Sequence, residues 1–400
     1  MLRNREIILG VSGGIAAYKS VYLCRELTRR GANVHVVMTK NATQFVTPLT
    51  FQTISGNTVT HELFELFLGS EIGHVALADR AHAIVVAPAT ANILGKVANG
   101  IADDFLSTMI MATRVRVLFA PAMNVVMWES AAMQRNIASL LADGYHTVGP
   151  VPGELACGVH GSGKMSEPEA ILEALEILLT PKDLAGERVL VTAGPTLEPI
   201  DPVRFVSNHS SGKMGYALAR AAVRRGATVT LVSGPTVQPD PLDARVIRVT
   251  TAREMRAAVM AEAAEATVIC KVAAVCDWRP VTAHPVKLKK NGESPDALAL
   301  EANPDILAEL GRTKRPGQIL LGFAAETTDV TDNARRKLEA KHLDVIVAND
   351  VTAPHAGFHA DTNTVQILTA DGDEVRVPNL PKDRVADRIL GVVAKLRAKG

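Results

Sequence analysis

No charge of either sign dominates this chain of 400 residues: 43 Lys and Arg stand against 42 Asp and Glu, a formal net charge of +1. The balance also holds locally, with 13 basic and 15 acidic residues up to Thr180, and 30 and 27 from Pro181 onward. Neither half has the basic excess that holds nucleic-acid phosphates, so no nucleic-acid partner is expected. No apolar run is long enough to cross a bilayer, and no membrane partner is expected either. The opening MLRNREIILGVSGG passes from a short apolar run into a Gly-rich turn with no small-residue cleavage site, which reads as a first strand and not a secretory leader. Cysteine is scarce. Cys24, Cys157, Cys270 and Cys276 form no CxxC, too few for a disulfide framework, and a reducing cytoplasm fits best. The GxGxxG fingerprint is missing too, which disfavours a nicotinamide dehydrogenase.

The length favours two domains, and the chain opens the same way twice. Glu6 to Val11 (EIILGV) is a β-type run, followed by Ser12-Gly13-Gly14, a helical stretch ending RRGA, and the strand-like NVHVVMT. Arg188 to Thr192 (RVLVT) leads through Ala193-Gly194-Pro195 and a long loop to GYALARAAVRRGA and TVTLVSG. Each opening reads as strand, Gly turn, helix closed by Gly, then a return into a parallel strand. The fold class expected is α/β, with two doubly wound Rossmann-like domains. Continuous apolar runs at Ala83–Ala87 and Val115–Ala120 suit the first sheet; Ala266–Val272, Ile319–Phe323 and Asp344–Val347 suit the second. The polar segment LTPKDLAGE (179–187) reads as a linker, placing the domains at 1–182 and 187–400. From Asn363 a hairpin is expected around Asp371-Gly372, followed by a terminal helix with a basic end.

Several strings can carry chemistry, and each also has a plainer use. The turn at Ser12-Gly13-Gly14 can present backbone N–H groups to a phosphate, or simply pack tightly. GVHGSGKM (158–165) has the spacing of a P-loop but puts Met165 where the Mg²⁺-ligating hydroxyl belongs, and no clear strand leads into it. The same Gly-rich stretch holds Cys157 and reads as a flap carrying a catalytic acid thiol. Cys24, Cys270 and Cys276 read as packing residues. His74 stands beside a helix start, where capping is the simpler role. Asn124 follows the strand VRVLFA, at the strand end where such sheets bind ligands, and could orient a carboxylate or hold a loop. In the second half NHSSGKMG (208–215) is rich in donors before a helix, and VKLKK (286–290) is a solvated lysine face or a neutraliser of a triphosphate.

Taken in order, SGGIAAYK, GHVAL, PAMNVVMW and ACGVHGSGKM resemble the flavin-dependent cysteine decarboxylases of coenzyme A synthesis. DPVRFVSNHSSGKMG, AAVCDW, VKLKK, NPDI, GFAAET and AND resemble the phosphopantothenate–cysteine ligases. Together they span nearly the whole chain, in the fused order found in many prokaryotes. The resemblance implies FMN in the first domain, contacted by Ser12, Gly13, Ile15, Thr39 and Ser107, with His74 the active-site histidine. It makes Asn124 the grip on the substrate carboxylate and Cys157 the thiol that completes the decarboxylation. For the second domain it implies ligation of 4′-phosphopantothenate with cysteine by CTP through an acyl-cytidylate, served by Asn208 and Lys287. CTP contacts are then expected at Ala273, Asp277, Lys287, Pro304, Asp305, Ile306, Phe323, Lys337 and Lys341, with Mg²⁺ accompanying the triphosphate. Lys337 and Lys341 lie four apart on an expected helix, so both can face one phosphate. The family is oligomeric, with the flavin site between subunits of a trimer and a dimeric ligase, which a dodecamer satisfies. Leu197, Lys164 and Cys276 depart from the commonest pattern, and the first two bear on substrate affinity. A non-catalytic flavin or nucleotide sensor is the rival reading; it would need neither Cys157, Asn208 nor Lys287. A nicotinamide oxidoreductase is the second rival, which the colour of the purified protein separates from a flavoprotein.

Overall fold

A computed structural model describes residues 2–61, 73–154, 160–289, 297–326, 330–350 and 359–399. The chain divides into two compact units, Met1–Thr180 and Pro181–Gly400.

The strands of the first unit are β1 (Glu6–Val11), β2 (Asn33–Met38), β3 (Ala83–Ala89), β4 (Arg116–Pro121), β5 (His146–Thr147), β6 (Val151–Glu154) and β7 (His160–Lys164). Its helices are α1 (Ala17–Arg29), α2 (Pro48–Ser55), α3 (Gly73–Arg80), α4 (Ala91–Ala98), α5 (Phe105–Ala112), α6 (Val125–Glu129), α7 (Ala131–Ala142) and α8 (Pro168–Leu179). The first five strands form one parallel sheet in the order β2-β1-β3-β4-β5, the flavodoxin-like winding. Because side chains alternate across each strand, the sheet has two apolar faces. Ile7, Leu9 and Val11 pack with α1 and α8, while Ile8, Ile84 and Val86 pack with α4, α5 and α7. Cys24 lies in the first of these cores, and burial pushes its thiol up to about 11.

In the second unit the strands are β8 (Arg188–Ala193), β9 (Leu197–Pro199), β10 (Phe205–Ser207), β11 (Thr228–Ser233), β12 (Ala244–Arg248), β13 (Val268–Lys271), β14 (Trp278–Pro280), β15 (Leu300–Ala302), β16 (Ile319–Glu326), β17 (Val345–Asp350), β18 (Thr362–Thr369) and β19 (Glu374–Pro381). Its helices are α9 (Lys213–Arg224), α10 (Ala252–Ala263), α11 (Ile306–Thr313), α12 (Val330–Ala340) and α13 (Lys382–Lys399). Eight strands form the order β12-β11-β8-β13-β16-β17-β18-β19. The first six are parallel, in Rossmann order, and the β18–β19 hairpin extends the edge antiparallel. Helices α10, α11 and α12 cover one face through Met255, Val259, Ile306, Leu310 and Ala334. Cys270 is buried inside β13, its thiol pushed up to about 12 by burial.

The repeated RRGA ends both opening helices in the same way. Gly31 (φ 83°) and Gly226 (φ 89°) adopt the left-handed conformation that disfavours a side chain. Gly31 N–H donates to Thr28 O and Ala32 N–H to Leu27 O; Gly226 and Ala227 repeat the pattern on Val223 and Ala222. These paired bonds cap the last carbonyls and turn the chain toward the next parallel strand.

Two expectations need correction. A strand, β6, does precede the P-loop-like string, but it pairs antiparallel with β7, so Gly163 and Lys164 lie in a hairpin and not in a strand-to-helix turn. The segment read as a linker is also packed: Leu184 is 1% exposed, and Asp183 receives Arg225 at 2.7 and 2.5 Å. The polar composition of the segment hid this one buried leucine and its ion pair.

Candidate active site

In the first unit, the carboxyl ends of β1, β3 and β4 surround a pocket of about 760 Å3. It lies where the strand order reverses between β1 and β3, the point at which doubly wound sheets bind ligands. Gly13, Gly14 and Ile15 line it from the turn before α1, Thr90 from the β3 side, and Asn124 from the start of α6. The turn is held by a buried serine: Ser12 Oγ donates to Pro88 O at 2.7 Å and accepts from Thr90 N–H at 3.0 Å. Gly13 is required sterically, since a Cβ there would sit 2.4 Å from Asn41 Cβ. Thr39 anchors the adjoining loop, its N–H on Val11 O and its hydroxyl accepting from Ala42 N–H. Ile15 is exposed although apolar.

Asn124 caps α6, its Oδ1 accepting from Val126 N–H at 2.8 Å. The preceding residue, Met123, donates its N–H to Gly163 O, tying this loop to β7. Ser107 lies elsewhere: it is fully buried and forms a capping box with Asp104 at the start of α5. Lys19, absent from the expected set, also lines the pocket and pairs with Glu167 at 2.7 Å. Lys164 stands 3.5 Å from the same carboxylate, and the Lys19 hydrogen bond leads in holding Glu167 below the usual glutamate value. The signal was a lysine one helical turn after a Gly-rich turn, on the side of the helix that buries Ala17, Leu23 and Leu27. His74 falls in the first turn of α3, but its side chain lies outside the described residues, as does Cys157.

Of the expected nucleotide residues of the second unit, all but Lys287 and Lys337 fall into two groups near the carboxyl end of β13. Ala273 and Phe323 line a pocket of about 170 Å3 that reaches Ser210, Gly212 and Lys213 at the start of α9. Thr192 Oγ1 shapes its floor by accepting the N–H groups of Val272 and Ala273, both at 3.0 Å. Asn208 donates its Nδ2 to Ala274 O at 3.0 Å.

The other group lies toward α11. Asp305 caps that helix by accepting from Ala308 N–H at 3.0 Å, and it pairs with Lys341 at 2.9 Å. Pro304 precedes it, and Ile306 is buried in the core, leaving only its backbone for a ligand. Asn303 donates Nδ2 to Cys276 O at 2.9 Å and its N–H to Asp277 O at 2.8 Å, joining the NPDI loop to the end of β13. Cys276 is buried there, and burial raises its thiol.

Lys271, in the same group, was missed although a lysine inside the apolar run VICKV is its signal. Its ammonium donates to Ala273 O at 2.8 Å. Burial pushes it down to about 8, with Lys341 adding to this against Asp305 and Asp277.

Lys337 is exposed on α12; Lys341 follows that helix's last residue and turns to Asp305. Lys287 and Lys289 lie elsewhere, exposed on the segment after β14. That segment is clasped by Asp201, which accepts from Leu288 N–H at 3.2 Å, from Val203 and Arg204 N–H, and from the Arg204 guanidinium. The guanidinium is the first cause holding the Asp201 carboxyl far below the usual range. Lys290 lies outside the described residues. Among the described residues no group of three or more His, Cys, Asp or Glu side chains could hold a metal ion, and no helix is long and apolar enough to cross a membrane.

Two doubly wound α/β units, each with a crevice at the carboxyl ends of its central strands, define a two-domain α/β protein. Residues 1–179 match the family described as Flavoprotein, and residues 184–396 the DNA/pantothenate metabolism flavoprotein C-terminal domain. The coenzyme A biosynthesis bifunctional protein CoaBC of Bacillus subtilis (strain 168) is 49% identical over 99% of this chain and 98% of its own length. That of Escherichia coli (strain K12) is 44% identical over 96% of this chain and 94% of its own. A solved C-terminal domain of a CoaBC protein is 42% identical over 55% of this chain and 100% of that one, with a TM-score of 0.48. The chain belongs to the family of coenzyme A biosynthesis bifunctional proteins and is a bifunctional enzyme of that family.

Proposed function

We propose that the second unit ligates 4′-phosphopantothenate with cysteine using CTP, and that the first unit decarboxylates the resulting 4′-phosphopantothenoylcysteine to 4′-phosphopantetheine with FMN. The observation that carries this reading is the pair of switch-point crevices, each lined by residues that the family motifs single out. The first pocket fits a flavin: Gly13 and Gly14 keep the turn free of side chains, and exposed Ile15 offers an apolar surface for a ring. When bound there, FMN supplies a two-electron oxidation of the cysteinyl moiety and its later reversal, which eases loss of CO2. Asn124 orients the substrate carboxylate through its NH2 group. Cys157 then gives the proton that completes the product, and His74 serves the same site. Lys19 and Lys164 place positive charge at the pocket wall. Tyr18 and Tyr22 are exposed along α1, a surface suited to other copies in a homo-oligomer such as a dodecamer.

In the ligase, a carboxylate oxygen of 4′-phosphopantothenate attacks the α-phosphorus of CTP and pyrophosphate leaves. The cysteine amine then attacks the acyl carbon and CMP leaves. Asn208 steadies the acyl-cytidylate, and Lys287 meets the charge on the transferring phosphates. Asp277, the NPDI loop and Lys341 offer polar groups to the base and ribose; such a site discriminates because a wrong base leaves them unpaired. Mg²⁺ would accompany the triphosphate and offset its negative charge. The test is a quench assay without cysteine. It should show 4′-phosphopantothenoyl-CMP and pyrophosphate; equal activity with ATP, or release of phosphate, overturns the mechanism.

A further inference from the structure

Asn363 occupies a position built for hydrocarbon. Along β18 the inward places are taken by Asn363, Val365 and Ile367, and the residues between them are less buried. Asn363 is 3% exposed, and its Oδ1 has no hydrogen-bond partner. Asn349, at the end of β17, is in the same condition: its Oδ1 is buried and unpartnered. Both residues line the 170 Å3 pocket at the start of α9. A buried acceptor left unmade destabilises the fold, and natural structures keep such groups where a ligand meets them.

One cation of this pocket comes from the same C-terminal part of the chain as Asn363, and the other from α9. Lys382, the first residue of α13, lines it and is 7% exposed. Its backbone N–H is fixed on Asp361 O at 3.0 Å. Lys213 lines the opposite wall, its ammonium donating to His359 O at 2.8 Å and Asp361 Oδ1 at 2.6 Å. The N-terminal turn of α9, a helix of 12 residues, adds its own preference for negative charge. One small space is therefore walled by two lysines and two asparagines whose buried carboxamide oxygens meet no group of the protein. The volume is below the roughly 300–1,000 Å3 of pockets that enclose whole small molecules, so it suits one end of a ligand.

We propose that Asn363 and Lys382, carried by the C-terminal hairpin and helix, form a subsite of the ligase for a phosphoryl group flanked by hydroxyl or amide N–H donors. Lys382 and Lys213 meet the phosphoryl oxygens, and the two carboxamide oxygens accept from the neighbouring donors. This assignment rests on the ligase reading given above. Two substrates carry the chemistry: CTP through its phosphates and ribose, and 4′-phosphopantothenate through its phosphate, hydroxyl and amides. Burial, with Lys213 adding to it, pushes Lys382 down to about 8, so its amine is open to acylation in mild alkali.

The test uses the full-length chain and the variants Asn363→Leu and Lys382→Met. KM is measured separately for CTP, 4′-phosphopantothenate and cysteine, together with Tm. Removing the hydrogen bonds to a charged group should raise KM for one phosphorylated substrate about tenfold or more and leave that for cysteine unchanged. The substrate affected identifies the source, and Lys382→Arg should restore part of the loss. Asn363→Leu should not lower Tm, because it replaces an unsatisfied amide by hydrocarbon; a merely structural asparagine would lose stability and leave every KM alone. Should either variant fail to fold, acetylation of wild-type Lys382 at pH 8 gives the answer: CTP or 4′-phosphopantothenate must protect it, and protection by neither overturns the proposal. A wild-type chain that forms no acyl-cytidylate refutes the ligase reading and this subsite with it. A chain that forms it, with both variants matching wild type in every KM, refutes the subsite alone.

Discussion

Asp305 has two separable duties, and substitutions distinguish them. Its carboxylate caps α11 through Ala308 N–H and holds Lys341 at 2.9 Å. Losing a cap costs about 1 kcal/mol. The ion pair is partly exposed, at 27% and 52% for the two side chains, and is worth about 0.2–1 kcal/mol after solvent screening. Asp305→Ala loses both. In a unit of about 220 residues, where 1 kcal/mol moves Tm by about 2–4 °C, its Tm should fall by about 2–8 °C. Asparagine caps as well as aspartate, so Asp305→Asn should lose only the ion-pair share, about 0.4–4 °C. Adding Lys341→Met to Asp305→Asn should cost little more, since the two share one interaction. Burial pushes the Asp305 carboxyl up, but Lys341 and the Ala308 N–H outweigh it and leave it lowered. A lowered carboxyl contributes stability above its unfolded value of about 3.9 that is lost as pH falls through the folded value. The gap between wild type and Asp305→Ala should therefore narrow in acid. Thermal denaturation followed by far-UV circular dichroism reads all of this, with KM for CTP measured alongside and expected to rise. Equal destabilisation by Asn and Ala would refute the capping argument.

Gly13→Ala puts a Cβ 2.4 Å from Asn41 Cβ, so the purified protein should carry less flavin per chain by absorbance while CTP-dependent pyrophosphate release persists. Lys271 should take up a proton when CTP binds at pH 8.5. A return from about 8 toward its ordinary 10.5 corresponds to roughly 0.7 proton, read as different titration heats in buffers of different ionisation enthalpy and lost in Lys271→Met. The unfolded state also holds that proton longer, so Lys271 makes stability rise as pH climbs from about 8 to 10.5. Separate expression of 1–180 and 181–400 should give a yellow fragment and a colourless ligase. Beginning the second fragment at Glu187 instead removes buried Leu184 and should lower its Tm; no difference between the two starts contradicts the packing seen at Asp183–Arg225.

The sequence by itself determined the two doubly wound units and most of their strands, because parallel strands covered on both faces must be runs of Val, Ile, Leu and Ala. It also marked the helix ends at RRGA, since a glycine is the residue that takes the left-handed position cheaply. Motif order was enough to name Asn124, Asn208 and the NPDI loop as candidates. Only the tertiary structure decided which of them meet. Gly13, Ile15 and Asn124 are more than a hundred positions apart in part, yet the winding of the sheet brings them to one pocket, while Ser107 is spent on capping a helix. Lys19 and Lys271 left only a weak local signal, a lysine near a Gly turn or inside an apolar run, and Asn363 and Lys382 left none, because each sits in a pattern that otherwise reads as helix or strand. What singles them out is a charge or an amide buried without the hydrocarbon neighbours' indifference to water, and burial is a property of the packed chain.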